Sequence, residues 1–239
     1  MLEKLRTPRW IALAVLVAVI VSGFLSLGNW QMRRHRERAT ENQVLAGRVA
    51  ADPIPLAELV TGAGGDLDSL EYRRTTVVGR YLSEPQALVR GHAHRGSPGY
   101  HVLTLLELED GVLLVVNRGW IPLGSGDTPE PPAPPGESVE LEGWVRLTQV
   151  KTGVGPVDPE AWADVVVRVD LERLKRVTGL DLAPVWLQAV EDEPGVLEGL
   201  GAPDPDDPGP HLDYAIQWYS FATISVVGFF ALLRRKPRI

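Results

Sequence analysis

Five histidines, at positions 35, 92, 94, 101 and 211, are the side chains of this sequence best suited to ligate a metal. His92 and His94 are two residues apart in a segment of strand character and so share a face, and the Gly96-Ser97-Pro98-Gly99 turn can bring His101 toward them. Three imidazole nitrogens would suit zinc. An exposed polar strand edge accounts for the same residues equally well. His211 stands in another setting, just before an apolar segment that opens with Tyr214, Gln217 and Trp218. A neutral imidazole can ligate haem iron without covalent attachment, and an aromatic-rich membrane interface suits an amphipathic macrocycle. Arg33 and Arg34, at the end of the other apolar segment, could meet haem propionates through charge-assisted hydrogen bonds. The alternative for His211 is an interfacial histidine that bonds lipid headgroups or caps the helix start.

Other chemistries are excluded or lack a motif. Cysteine is absent, which removes disulfides, thiolate metal sites, cysteine nucleophiles and covalent haem attachment. Met1 and Met32 are the only thioethers, too few for a soft-ligand copper(I) carrier. No nucleophile-elbow motif is present, and Gly62-Ala63-Gly64-Gly65 neither follows a strand nor opens a helix as a phosphate-cradling loop would. No catalytic constellation is recognisable, and the chain is read as a non-enzyme.

Two apolar segments must position His211 and the arginines. Tyr214 to Leu233 contains 20 residues without Asp, Glu, Lys or Arg. At about 1.5 Å per residue that covers the roughly 30 Å hydrocarbon core of a bilayer. Trp10 to Met32 is likewise free of charge and proline, and it lacks the short core and Ala-x-Ala-like site of a signal peptide, so it reads as a permanent anchor. Ala14, Ala18, Ser22 and Ser26 recur at every fourth position, a face where another helix could approach, or a chance pattern in an Ala-rich span. Trp30 and Gln31 close this span. Its tryptophan and that of the second span fit interfacial anchoring, whereas Gln31, Gln217, Arg33 and Arg34 need polar partners at that depth.

Arg234, Arg235, Lys236 and Arg238 follow the second span, and Asp204, Asp206, Asp207 and Asp213 precede its start. The positive-inside rule then puts both termini in the cytoplasm of a bacterial cell and the middle outside its plasma membrane, although Arg33, Arg34, Arg36 and Arg38 pull the other way. The expected organisation is a cytoplasmic N-terminus over 1–9, a span over 10–32, an extracytoplasmic domain over 33–213, a span over 214–233 and a cytoplasmic C-terminus over 234–239.

Residues 31–213 hold 17 cations and 30 acids, a net charge of −13, which excludes nucleic acid or anionic lipid as a partner of the broad surface. The first helix continues to about Arg48, before Pro53 and Pro55. Strands are expected over Tyr72–Leu82 and Gln86–Arg90. A hairpin of Tyr100–Leu108 and Val112–Ile121 turns at Glu109-Asp110-Gly111. The continuous apolar run Val112–Val116 suggests a strand covered on both faces. Beyond a proline-rich connector over Gly124–Gly136, strands are expected at Ser138–Leu147, Asp164–Val169 and Pro184–Val190. A helix over Leu171–Thr178 should be capped by Asp170 and stopped by Gly179. The fold class is therefore a membrane protein whose two transmembrane helices flank one β-rich α+β domain, barrel-like or sandwich-like.

Three motifs in order carry a resemblance. Leu27-Gly28-Asn29-Trp30-Gln31-Met32-Arg33-Arg34 closes the first span. Gly99-Tyr100-His101-Val102-Leu103-Thr104 is followed by Asp110-Gly111 and by Val116-Asn117-Arg118-Gly119-Trp120-Ile121-Pro122. His211-Leu212-Asp213-Tyr214-Ala215-Ile216-Gln217-Trp218 opens the second span. Together they resemble the surfeit locus protein 1 family of cytochrome c oxidase assembly proteins. Arg38 stands where the family usually has lysine, and Thr104-Leu105-Leu106 replaces its Thr-Pro-Leu. The resemblance implies a factor that assists insertion of haem a into subunit I of an aa3-type oxidase, with subunit I and the haem a synthesis machinery as partners and haem a as a transient ligand of His211. A permanent accessory subunit of the oxidase or of a respiratory supercomplex, held by the small-residue face of the first helix, is a rival reading. A membrane-anchored metalloenzyme using His92, His94 and His101 is another. For Arg118 and Trp120 the choice lies between a partner-facing edge and a strand end in which Gly119 relieves the backbone, Trp120 packs and Arg118 pairs with an acid.

Overall fold

The computed structural model describes residues 7–124, 128–159, 163–190, 193–198, 201 and 203–235. Lys4, Arg6, Lys236 and Arg238 of the cationic flanks, and parts of the proline-rich connector and the last loop, lie outside them. The elements in order are α1 Pro8–Ala50, β1 Ile54–Pro55, α2 Leu56–Gly62, a short 3-10 turn at Leu67–Leu70, β2 Arg74–His94, β3 Ser97–Leu108, β4 Leu113–Pro122, β5 Ser138–Arg146, β6 Val165–Val166, α3 Leu171–Thr178, β7 Leu182–Ala189 and α4 His211–Arg234. Contacts group them into a helical unit of residues 1–46 with 204–239, and a β-rich unit of 47–203.

In the helical unit α1 and α4 are each long and apolar enough to cross a membrane. Their shielded residues follow one rule. On α1 they include Trp10, Ala14, Val17, Val21, Phe24, Gly28, Gln31 and His35, and on α4 His211, Ala215, Trp218, Ala222, Ser225 and Phe229. Steps of three and four keep one stripe on one helix face. Phe24 stacks on Trp218 with ring centroids 5.7 Å apart. Gly28 is required where it stands, because a Cβ there would lie 2.7 Å from the Tyr219 ring. Small residues do permit the close approach, but they are Gly28, Ala215 and Ala222. Of the expected stripe only Ala14 is half-buried, whereas Ala18, Ser22 and Ser26 are exposed.

The β-rich unit is built on one seven-stranded sheet. β2 pairs antiparallel with β3, β3 with β4, β4 parallel with β7, and β7 antiparallel with β5. β5 also pairs antiparallel with β2, so this path of ladders returns to its start. The two strands expected at 72–82 and 86–90 are one strand, with a register break between Tyr81 and Gln86. Length lets β2 serve several neighbours, with β5 along Arg74–Arg80 and β6 at Leu88–Val89. The strand expected over 164–169 shrinks to two residues, since Val167 and Val169 give their N–H groups to the side chains of Asp158 and Gln149 instead of a ladder.

Alternation along β4 sends Leu114 and Val116 into one core with Leu106, Leu141, Val185 and Leu187, and sends Val115 into a second with Leu103, Leu105 and Trp186. Both faces of that strand are therefore covered, as its unbroken apolar run requires. The second core is closed by Leu171 and Leu174 of α3. Asp170 accepts from the Arg173 N–H at 2.9 Å, and Gly179, at φ 69°, ends the helix. Both caps occupy the expected positions.

Candidate functional site

Where α4 begins, the seam of the helical unit becomes polar. His211 occupies the first turn of α4 rather than the loop before it, and its Nδ1 lies 2.8 Å from Gln31 Oε1 across the seam. Two turns further along α4, the Tyr219 hydroxyl donates to Asn29 Oδ1 at 2.8 Å. The approach to α4 is tied down too. Asn42 Nδ2 donates to the Asp207 carbonyl at 2.7 Å, Arg38 reaches the Asp207 carboxylate at 3.5 Å, and the Gly209 N–H donates to that carboxylate at 2.9 Å.

An open cleft lies beside His211, lined by Arg34, Glu37, Arg38, Glu41, Asp207, Gly209 and Pro210. Arg34 is 3.0 Å from Glu37 on its own helix, and both side chains are more than half exposed. Exposed pairs of this kind hold each other weakly, so the Arg34 guanidinium can turn to another anion at small cost. Among the residues singled out in the sequence, the structure brings together Gln31, His211 and Arg34, and packs a half-buried Trp218 against Phe24. Arg33, Trp30, Tyr214 and Gln217 are exposed outside this set. Arg38, Asp207 and Asn42 were missed as a cluster. The only signal for them was a lone asparagine and aspartate 165 residues apart.

The donor set fits a haem. With Gln31 Oε1 accepting at Nδ1, the neutral Nδ1–H tautomer would leave the Nε2 lone pair free, the arrangement metal-ligating histidines adopt. Cations for propionates stand in the same cleft.

The β-rich unit holds the second motif, and there the structural reading applies with one correction. Arg118 is 1% exposed and pairs with no acid among the described residues. Its Nε donates to the Gly195 carbonyl at 2.7 Å, its Nη1 to the Pro132 carbonyl at 2.9 Å and to Gln86 Oε1 at 3.1 Å, and its guanidinium lies over the Tyr81 ring. Loop carbonyls of Gly195 and Pro132 converge on it in place of a carboxylate. Burial lowers the affinity of Arg118 for its proton and raises the Tyr81 phenol well above its ordinary value, an effect that Arg118 opposes. The backbone beside it completes the clasp, with the Leu197 N–H donating to the Arg118 carbonyl and the Trp120 N–H to that of Glu198. Gly119, at φ 118°, is needed because a Cβ there would stand 2.5 Å from the Glu198 carbonyl oxygen. Trp120 is buried over Gly99, where a Cβ would come within 2.4 Å of its indole.

The three histidines do not converge as zinc ligands. A register shift between Arg90 and His92 sets His92 over His101, with ring centroids 3.7 Å apart and planes 19° from parallel. Stacked rings aim their lone pairs side by side rather than at one point. His94 turns to Trp120 and to Glu198, whose Oε1 is 3.1 Å from Nε2 but misaligned for a hydrogen bond. Among the described residues no group of three His, Cys, Asp or Glu could hold a metal ion. Burial lowers the His92 pKa. Burial first, then the charges of His92, Arg146 and His94, push His101 down to about 3.

Two outcomes follow. Arg118→Met should destabilise the full-length protein by about 2–3 kcal/mol, since charge-assisted bonds from a buried guanidinium to loop carbonyls are lost. Limited proteolysis should then cut within 128–137 and 193–198, and an unchanged digestion pattern would refute the clasp. An unfolded His101 takes up its proton near the ordinary imidazole value, whereas the folded one resists until about 3. Within that window the unfolded state binds more protons, so stability falls with pH by at most about 1.4 kcal/mol per unit for one imidazole. Urea midpoints at pH 7 and pH 5 should show this fall, and His101→Gln should lessen it.

Comparison with known proteins adds a family. The SURF1 family profile matches residues 18–223. A SURF1-like protein of Mycobacterium tuberculosis is 32% identical over 243 residues, covering 99% of this chain and 89% of that protein. Surfeit locus protein 1 of Homo sapiens is 30% identical over 246 residues, covering 94% of this chain and 79% of its own length. The Mus musculus protein of the same name is 30% identical over 231 residues, covering 88% and 72%. The profile takes in Gln31, His211 and Arg118, and the chain belongs to the SURF1 family.

Proposed function

We propose that this protein is an assembly factor for an aa3-type cytochrome c oxidase, holding haem a as cargo during its insertion into subunit I and catalysing no reaction itself. The observation that carries the reading is the His211–Gln31 pair beside a cleft that also contains Arg34 and Arg38. Family membership supports the oxidase as partner. Bound there, haem a would supply an iron for His211 Nε2 and two propionates for the arginines. The protein's own residues would orient it. Gln31 sets the imidazole, and the Asp207 cluster fixes the chain that leads into α4.

Both helices span the plasma membrane in this reading. Large apolar residues such as Val15, Val19, Ile216, Ile224 and Val227 are exposed along them, as lipid contact requires. Hydroxyls on the helices bond their own backbone, Ser26 to the Ser22 carbonyl, Ser220 to Ile216 and Ser225 to Phe221, each at 2.8 Å. Such groups need no water. Arg234 and Arg235 after α4, against Asp204, Asp206, Asp207 and Asp213 at its other end, favour cytoplasmic termini and an extracytoplasmic β-rich unit. The returning path of strand pairs supports a barrel-like rather than a sandwich-like shape for that unit. A permanent accessory subunit is the second reading, favoured by the exposed small residues Ala18, Ser22 and Ser26. Stoichiometric co-purification with the mature oxidase would select it.

Deleting the gene should lower the haem a absorbance and activity of the aa3-type oxidase while leaving bc-type cytochromes near normal. An unchanged aa3 spectrum would refute an essential assembly role. A reporter inserted near Gly136 should behave as extracytoplasmic, and one active only in the cytoplasm would reverse the orientation.

A further inference from the structure

We infer that Gln31 is a positioning residue for His211, fixing its ring orientation and tautomer from the opposite helix so that Nε2 faces the cleft as the accepting nitrogen. The two residues are 180 positions apart in sequence, yet Nδ1 and Oε1 meet at 2.8 Å on the shielded seam. A free imidazole exchanges its proton between nitrogens and turns about two bonds. A carboxamide oxygen held by another helix stops both, because it accepts only from Nδ1–H at one azimuth. The glycine at 209 keeps the other edge of the ring open, since a side chain there would touch Cδ2 and Nε2, at 3.6 and 4.0 Å from its Cβ.

Helix pairing does not need this bond. Gly28 already seats Tyr219, Phe24 stacks on Trp218, and Tyr219 bonds Asn29. A polar pair added to a seam that holds without it points to a role in what the imidazole does. The consequence for binding rests on the proposed haem reading, whereas the orientation of the ring does not. A neutral acceptor on Nδ1–H stabilises iron ligation through Nε2 and leaves the ring neutral. An anionic acceptor in its place would push more electron density to the iron.

The test uses the full-length protein in detergent, without and with added haem a. Nitrogen chemical shifts of His211 in the haem-free wild type should report the Nδ1–H form, and Gln31→Leu should give a mixture of tautomers. Haem a affinity should fall roughly ten- to a hundredfold in Gln31→Leu. Gln31→Glu should keep binding and shift the ferrous iron–histidine stretch and the reduction potential. Asn29→Ala, which removes the neighbouring cross-helix bond, is the packing control and should leave the tautomer and the spectrum as in wild type. The inference is overturned if Gln31→Leu keeps the wild-type tautomer, or if Asn29→Ala disturbs His211 as much as Gln31→Leu does. Haem retained by His211→Ala with an unshifted Soret band would refute ligation by His211, and the nitrogen shifts of the haem-free protein would still decide the role of Gln31.

Discussion

Residue 28 has no side chain because the ring of Tyr219 fills the place where one would be. Everything polar at this end of the helical unit depends on that approach. With the backbone of α1 against an aromatic ring of α4, Asn29 comes within 2.8 Å of the Tyr219 hydroxyl and Gln31 within 2.8 Å of His211. Hydrogen bonds weaken steeply with distance and misalignment, so an added methyl at 28 would be felt at both pairs. The apolar contacts hold the helices together, and the polar pairs form at the rotation those contacts leave.

The β-rich unit meets the same difficulty of fastening long connections, and solves it with a buried cation. Connections of this length expose backbone carbonyls that need donors. Arg118 supplies three N–H bonds from one planar group, to Gly195, Pro132 and Gln86, and the strand that carries it pairs with Leu197 and Glu198 through its backbone. An acid beside Arg118 would have competed with those carbonyls for the same donors.

Much of the fold was legible because local chemistry decided it. Asp170 and Gly179 bound α3 as their side-chain and φ preferences require, and the Asp110-Gly111 turn joins β3 to β4. The length of β2 was not legible, since the break at Tyr81–Gln86 interrupts pairing without ending the strand. The site was half visible. His211, Gln31 and Arg34 each stood out beside an apolar segment, but that His211 rather than Gln217 meets Gln31 depends on helix rotation, which sequence spacing on one helix leaves undetermined. The small-residue stripe lies off the α4 contact face for the same reason. Steps of four drift round a helix of 3.6 residues per turn, and the contact face follows alternating steps of three and four.

Those alternating steps have a geometric consequence. Shielded positions from Ala14 to His35 on α1, and from His211 to Ser225 on α4, recur every 3.5 residues on average. A straight α-helix completes a turn in slightly more than that, so the contact line would slide off the facing surface unless the two helices coil around each other to the left. Coiling couples axial position to azimuth. A lengthwise slip of α4 along α1 would turn the His211 ring about the pair's common axis as well as displace it, so His211 and Gln31 behave like the matched teeth of a screw thread, in contact at one register.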